Sequence, residues 1–372
     1  MHTFHTCLVL LVLSALPGQA HSSPGKKTAA IPAATSTEIS SAIYQTNGGI
    51  YTSWSKYDFV PGNKVLFLDN LTGEDKGEFP AHWRAAKGTV EVAIYGSENV
   101  LNLVDNGTSI SPHMAGADWL PETSTIEMDL FFASDDPKVA YEIYLAGDTD
   151  RNKKAVNGSF SEPLVIGANS VHFKKEGTTS ASLAGAEVKD QWRHLAISLN
   201  KGSLKVYLDQ YCLLDLPQVK GNPSGLKIQV KNRTDAETMV KQVFIAESNE
   251  KGLEEQLSAG GKIITQGIKF IPNYAQVLPE SMGTLNAIIK LMQEQPTLKL
   301  SIESHTDSNG DDRYNMRLSQ QRAEATKAVL VKLGIAPERL EARGWGETNP
   351  LNSSSNTPEM QLNNRRTEFV KR

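Results

Sequence analysis

Two charged residues fifteen positions apart, Asp307 and Arg322, lie in the polar stretch SHTDSNGDDRYNMRLSQQRA that runs from Ser304 to Ala323. A carboxylate takes up cations and a guanidinium fork takes up carboxylates, so these residue types can hold a charged ligand. Taken alone, an acid and an arginine at this spacing read as a surface ion pair contributing ~0–1 kcal/mol. A second candidate is Glu127-Met128-Asp129, which puts two carboxylates on one face of an alternating strand. Glycoside hydrolysis needs two carboxyl groups in separate roles, one of them able to give a proton. Taken alone, Glu127 and Asp129 read as the solvent face of the strand, ahead of the apolar Leu130, Phe131 and Phe132.

The remaining chemistry-bearing residues are scattered. Asp135 and Asp136 offer two side chains where calcium takes about six to eight oxygens, and they read as a solvated loop. His82, His113, His172 and His194 read as surface or packed residues. The chain has no His-Glu-x-x-His, no paired cysteines for zinc, no glycine-rich phosphate loop and no Gly-x-Ser-x-Gly elbow. The expectation is therefore a protein with no catalytic residue, no metal and no cofactor.

The elements that must position these residues follow from composition and pattern. With 372 residues, 39% of them hydrophobic and 22% charged, the chain can bury more than one core. Its 38 Lys and Arg against 42 Asp and Glu leave no excess of cations for a phosphate backbone, which excludes nucleic acid as the first-choice partner. Cys7 and Cys212 are too few for a disulfide framework. The apolar run LVLLVLSAL at residues 8–16, followed by Gly18-Gln19-Ala20, reads as a signal peptide over 1–20, although MHTFHTC ahead of it has no Lys or Arg. The run is far short of the ~20 apolar residues of a membrane-spanning helix. Cys7 precedes it and offers no lipid-anchor position, so the expected product is exported and soluble.

Residues 21–60, opening with HSSPGKKTAAIPAATSTEISS, are poor in large apolar side chains at their start and read as a flexible leader. Over 61–250, short apolar stretches such as KVLFLD, TVEVAIY, STIEMDLFFA and GLKIQV are separated by Gly, Asn and Asp, which suits an all-β sandwich of jelly-roll type. WRHLAISLNKGSLKVYLDQ predicts a hairpin turning at Asn200-Lys201-Gly202. Trp83, Trp119 and Trp192 fall in this part and, with Trp54 just ahead of it, read as core. Residues 251–261 read as a connector, and 262–372 as a βαβαβ domain of α+β class, a mixed sheet with helices on one face. There GKIITQGIKFI predicts a strand, and Met282, Leu285, Ile289 and Met292 recur at helical spacing. A second helix is expected from about Asn315 to Leu333, closed by Gly334.

The segment from Ser304 resembles the signature of the OmpA-like peptidoglycan-binding domain. His305, Thr306, Asp307, Asn315, Leu318, Ser319, Arg322 and Ala323 stand at that family's spacings. Gly344, Gly346, Glu347, Pro350, Asn356, Asn364, Arg365 and Arg366 follow in the order of its tail. Ser304 departs from the family's usual Gly, a sterically mild change for which a local backbone adjustment is expected. The resemblance implies non-covalent binding of peptidoglycan through the diaminopimelate of its stem peptide, whose free end carries an ammonium and a carboxylate. In that reading Asp307 takes the ammonium and Arg322, within the first two turns of its helix, takes the carboxylate. Asn315 and Arg365 match family positions near the same pocket, and His305 and Thr306 hold the loop by hydrogen bonds. The implied setting is the periplasm, in association with the cell wall and outer membrane.

The first domain is similar, over DNLTGEDKGEFPAHWRAAKGTVEV, LPETSTIEMDLFF and WRHLAISLNKGSLKVYLDQ, to the concanavalin or laminin-G type of sandwich found ahead of OmpA-like domains in Bacteroidetes proteins. That likeness implies a spacer, or a binding module for a glycan or an envelope protein. Laminarinase-type members carry a further Glu two or three residues after the Glu-x-Asp, which this chain lacks. Two alternatives stand beside this reading. One is an outer-membrane β-barrel porin of the OmpA type. The other is a carbohydrate-binding or carbohydrate-cleaving sandwich tethered to the wall.

Overall fold

The computed structural model describes residues 54–372 except 117, 135, 137, 147–157, 174–178, 183–188, 233–236, 249–251, 309 and 352–362. The expected signal peptide, the leader through residue 53, Asp135 and Asn356 lie outside the described residues.

Fifteen strands form the first part of what is described. Strands β1 (Lys64–Asp69), β2 (Trp83–Lys87), β3 (Val90–Tyr95), β4 (Glu98–Leu103) and β5 (Ser109–Pro112) open it. Next come β6 (Thr123–Phe132), β7 (Ala140–Tyr144), β8 (Leu164–Gly167), β9 (Ser170–Phe173) and β10 (Thr179–Ser182). The last are β11 (Gln191–Asn200), β12 (Ser203–Leu208), β13 (Tyr211–Leu216), β14 (Lys227–Lys231) and β15 (Met239–Glu247). They pair into two open sheets, in the orders β13-β12-β11-β6-β15-β4-β3, with β1 also on β15, and β10-β9-β8-β7-β14-β5-β2. Ile126, Leu130, Ile197 and Ile245 of the first sheet share one buried cluster with Ile143, Ile166, Ile228 and Val230 of the second. Alternation therefore builds an apolar layer between two sheets, and the strands do not close into the barrel that the porin alternative requires. The predicted hairpin is present, with Asn200 opposite Ser203 and with Lys201 and Gly202 both at positive φ, the twist that a two-residue hairpin turn needs.

The C-terminal part begins with helix α1 (Leu253–Gly260), which occupies most of the expected connector. Strand β16 (Lys262–Thr265) is shorter than the run GKIITQGIKFI suggests, because the chain turns away at Gln266. Helix α2 (Met282–Glu294), β17 (Leu300–His305), helix α3 (Asp312–Lys332), β18 (Leu340–Gly346) and β19 (Thr367–Lys371) follow. The sheet order is β16-β19-β17-β18, with β17 and β18 parallel and the other pairs antiparallel. Register aligns Ile263, Phe369, Ile302 and Ala342 in one row. That row shares a buried cluster with Leu285, Ile288 and Met292 of α2 and with Ala323, Val329 and Leu330 of α3. Helix α3 starts three residues before the expected Asn315. Asp311 accepts from the Tyr314 N–H at 3.0 Å and caps it.

Residues 54–61 depart from the flexible leader expected there. Trp54, Tyr57 and Phe59 are buried in the same cluster as α2 and the C-terminal sheet, together with Ala196 and Tyr207 from the outer face of the first sandwich sheet. Tyr207 stands edge-on to Tyr57 and to Phe59, with centroids at 5.4 Å and 5.6 Å. Asn286 of α2 donates to the carbonyls of Ser55 and Tyr57 at 3.2 Å and 2.9 Å. The three aromatic residues in this short span each contribute about 1.5–3 kcal/mol when buried, enough to tie the span down. It straps the C-terminal domain to the sandwich.

Candidate functional site

The parallel pairing of β17 with β18 ends in a register slip between Ser304 and His305, where the family pattern has its glycine. The chain then leaves the sheet as a loop that reaches α3 with Gly310 at φ 114°. Asp307, only 8% exposed, sits on this loop, and its carboxylate accepts from Arg365 Nε at 3.0 Å. Asn315, buried in the first turn of α3, donates to the Asp307 carbonyl at 3.4 Å and to Glu347 Oε2 at 2.8 Å.

Arg322 approaches the same place from the helix. Its Nε donates to the Tyr274 carbonyl at 3.1 Å, and its guanidinium lies 5.0 Å from the centre of the Phe270 ring. Burial draws its pKa down from the ordinary value, Tyr314 raises it, Arg365 lowers it and Asp307 raises it, so both charged neighbours are felt at the guanidinium. Asp307, Asn315 and Arg365 are joined by direct contacts, the carboxylate being paired with Arg365, and Arg322 stands close enough to feel the charges of Asp307 and Arg365. A carboxylate beside two guanidiniums can take an ammonium at one end and a carboxylate at the other.

His305 and Thr306 support the loop differently from the expectation. Their backbone N–H groups donate to the Arg366 and Gly346 carbonyls at 3.0 Å and 2.9 Å. The His305 ring nitrogens and Thr306 Oγ1 are buried with no hydrogen-bond partner among the described residues. The extended ladder at the strand end meets the need that side chains were expected to meet. Burial, with the Arg366 charge, lowers the His305 pKa to about 4 and keeps the ring neutral. On the sheet face away from the helices, Glu303, His305 and Glu368 lie close enough to share an ion. Their carboxylates are already engaged: Glu368 with Arg366 at 2.7 Å and Lys262 at 2.8 Å, and Glu303 with Trp345 Nε1 at 2.6 Å. This is a charge-balanced network, and a metal would have to displace two cations from it.

Sequence reasoning missed the shelf under Arg322. Phe270 and Tyr274 lie about fifty residues upstream, Phe270 in a run that reads as strand and Tyr274 just after it. Tyr274 is 66% exposed and Tyr314 stands beside it, donating its hydroxyl to the Asn273 carbonyl at 3.3 Å.

Glu127 overturns its assignment to a solvent face. It is 2% exposed, forms an ion pair with Lys269 of the C-terminal domain and lies 3.2 Å from His194 Nε2. Nδ1 of the same ring is 2.9 Å from Asp129. Alternation cannot distinguish a face that meets solvent from one that meets another domain. Burial alone would raise the Glu127 pKa, but Lys269 and His194 outweigh it and hold it at about 2. His194 is lowered by burial and raised more by Asp129 and Glu127, to about 10. A carboxylate locked in its charged form and covered by a neighbouring domain cannot serve as the proton donor of a glycosidase.

A model described as the OmpA family matches residues 269–365. Outer membrane porin F of Pseudomonas fluorescens is 38% identical over 98 residues, covering 26% of this chain and 30% of the porin. Outer-membrane lipoprotein YfiB of Pseudomonas aeruginosa is 30% identical over 126 residues, covering 34% of this chain and 74% of the lipoprotein. Peptidoglycan-binding protein ArfA of Mycobacterium bovis is 33% identical over 103 residues, covering 28% of this chain and 31% of that protein. The chain spans less than half the length of the first curated relatives it matches.

Proposed function

Because the chain belongs to the OmpA family through residues 269–365, we propose that its C-terminal domain binds peptidoglycan non-covalently, through the diaminopimelate of the stem peptide. The observation that supports this reading is the nearly buried Asp307 carboxylate, ion-paired with Arg365 on the loop after β17, with Arg322 within reach of both charges. Asp307 receives the ligand's ammonium in a charge-assisted hydrogen bond, and Arg322 receives its carboxylate. Arg365 keeps the Asp307 carboxylate aimed, and Asn315 ties the loop to the helix. Two ends of opposite charge at a fixed separation select a zwitterion over a simple ion.

The relatives named as a peptidoglycan-binding protein, an outer-membrane lipoprotein and an outer-membrane porin support a place in the cell envelope. In this reading the protein is exported, works in the periplasm without catalysing a reaction, and links the wall to the outer membrane or to a periplasmic partner. The sandwich, with its likeness to concanavalin and laminin-G domains, is a spacer or a module for a glycan or envelope protein. Co-sedimentation of the full chain with isolated sacculi tests the assignment. Binding that Asp307→Asn and Arg322→Ala both reduce, with unaltered unfolding midpoints, supports it; failure of the parent chain to sediment overturns it.

A further inference from the structure

Arg322 has no ion-pair carboxylate among the described residues. Its side chain is held by the Tyr274 carbonyl at 3.1 Å and by the Phe270 ring. Both belong to one short hairpin. Its base is closed by Leu278 N–H donating to the Lys269 carbonyl at 2.8 Å and by the bridge between Phe270 and Val277. Higher up, Ile271 N–H donates to the Gln276 carbonyl at 3.1 Å and Tyr274 N–H to the Ile271 carbonyl at 3.0 Å. At the base, Ser281 Oγ accepts from Lys269 N–H at 2.8 Å.

The Lys269 side chain leaves this hairpin one residue before Phe270 and ends on Glu127 in the middle of sandwich strand β6. Glu127 does not yield readily. The β6–β11 ladder sets it opposite Ala196, and His194 fixes its carboxylate from the side. The hairpin is thus held at one end by the sandwich and holds Arg322 at the other.

We propose that Glu127 is a positioning residue for the wall-binding site: it anchors Lys269, and through the hairpin from Lys269 to Leu278 it fixes the guanidinium of Arg322. The inference rests on the peptidoglycan reading and deepens it, because it makes the sandwich part of the ligand site without touching the ligand. Losing the anchor leaves a long side chain to be ordered by the ligand itself, and binding weakens by about two- to tenfold.

The experiment is sacculus co-sedimentation of the full chain over a concentration series, comparing the parent, Glu127→Gln, Lys269→Met, Arg322→Ala and the double variant Glu127→Gln/Arg322→Ala. The expected result is a weakening of this size in both anchor variants, and no further loss from Glu127→Gln when Arg322 is already alanine. Lys269→Met provides the reading if Glu127→Gln fails to fold. Parent-like binding by the anchor variants, or losses that add in the double variant, overturns the positioning role while leaving the wall-binding assignment intact. No binding by the parent overturns both.

Discussion

Asp307→Asn removes one charge and keeps the side-chain volume, so it isolates the contribution of the anion. The carboxylate is nearly buried and its ion pair is with Arg365, whose side chain is 43% exposed. An exposed guanidinium that loses its partner is solvated by water at a cost of ~0–1 kcal/mol, so the fold should be little affected. A ligand ammonium meets the amide oxygen in place of a carboxylate and loses a charge-assisted hydrogen bond. Such bonds are worth about 1.5–3 kcal/mol, which corresponds to roughly 10- to 150-fold in Kd. Calorimetric titration of the full chain with meso-diaminopimelate at neutral pH reads this directly, and urea unfolding checks the fold. The reasoning fails if the variant binds within twofold of the parent, since an anion that does not hold the ammonium has no role in the site. It also fails if affinity falls only in step with the unfolding midpoint, because the loss is then structural.

Three further outcomes follow from the geometry. Glu127, held near 2, contributes stability that is complete above about 4.5 and is lost as pH falls toward 2; His305, held neutral to about 4, contributes stability complete above 6.5 and lost as pH falls toward 4. His194, charged up to about 10, contributes stability complete below 6.5 and lost as pH rises toward 10, at up to ~1.4 kcal/mol per pH unit. Urea midpoints should therefore peak near pH 6.5, and a profile flat from 6.5 to 9.5 contradicts the His194 assignment. Gly283→Ala places a Cβ against the Phe59 carbonyl, so the strap must shift; limited proteolysis near residues 54–61 should accelerate, and an unchanged cleavage rate counts against that packing. Phe369→Ala removes the largest side chain of the sheet row facing α2 and α3 and should cost ~3–5 kcal/mol in urea unfolding, with a loss under 1 kcal/mol showing that the row is not the core.

What was legible in the sequence had local causes. The hairpin at Lys201-Gly202 is written in alternation and in a residue suited to positive φ, and α2 and α3 in apolar spacing. Asp307, Asn315, Arg322 and Arg365 were singled out through motif spacing; Asp307 contacts Arg365 and Asn315, while Arg322 contacts Tyr274 and Phe270. What was not legible was set by the partner of each face. Phe270 and Tyr274 become a shelf because a helix about fifty residues later lays Arg322 across them. Glu127 and His194 looked like ordinary strand residues because Lys269, their neighbour across the domain junction, is far away in the chain. Trp54, Tyr57 and Phe59 follow a polar leader, and only the faces they cover explain their burial.

The junction also separates two physical tasks. Removing Glu127, His194 and Lys269 from water costs several kcal/mol per ion, and mutual attraction offsets that cost without a large surplus. One oxygen of Glu127, Oε1, has no hydrogen-bond partner among the described residues, so this network is not optimised for stability. Adhesion comes instead from the aromatic strap and the apolar face of α2, where Trp54, Tyr57, Phe59 and Tyr207 pack with Met282 and Leu285. Apolar surfaces are non-directional and would tolerate a sliding interface. A lysine that must reach one carboxylate, itself fixed by a histidine between two acids, permits a single orientation. Because that lysine adjoins the shelf of Arg322, the orientation chosen at the junction is inherited by the Arg322 guanidinium, which the proposed zwitterion site needs held in place.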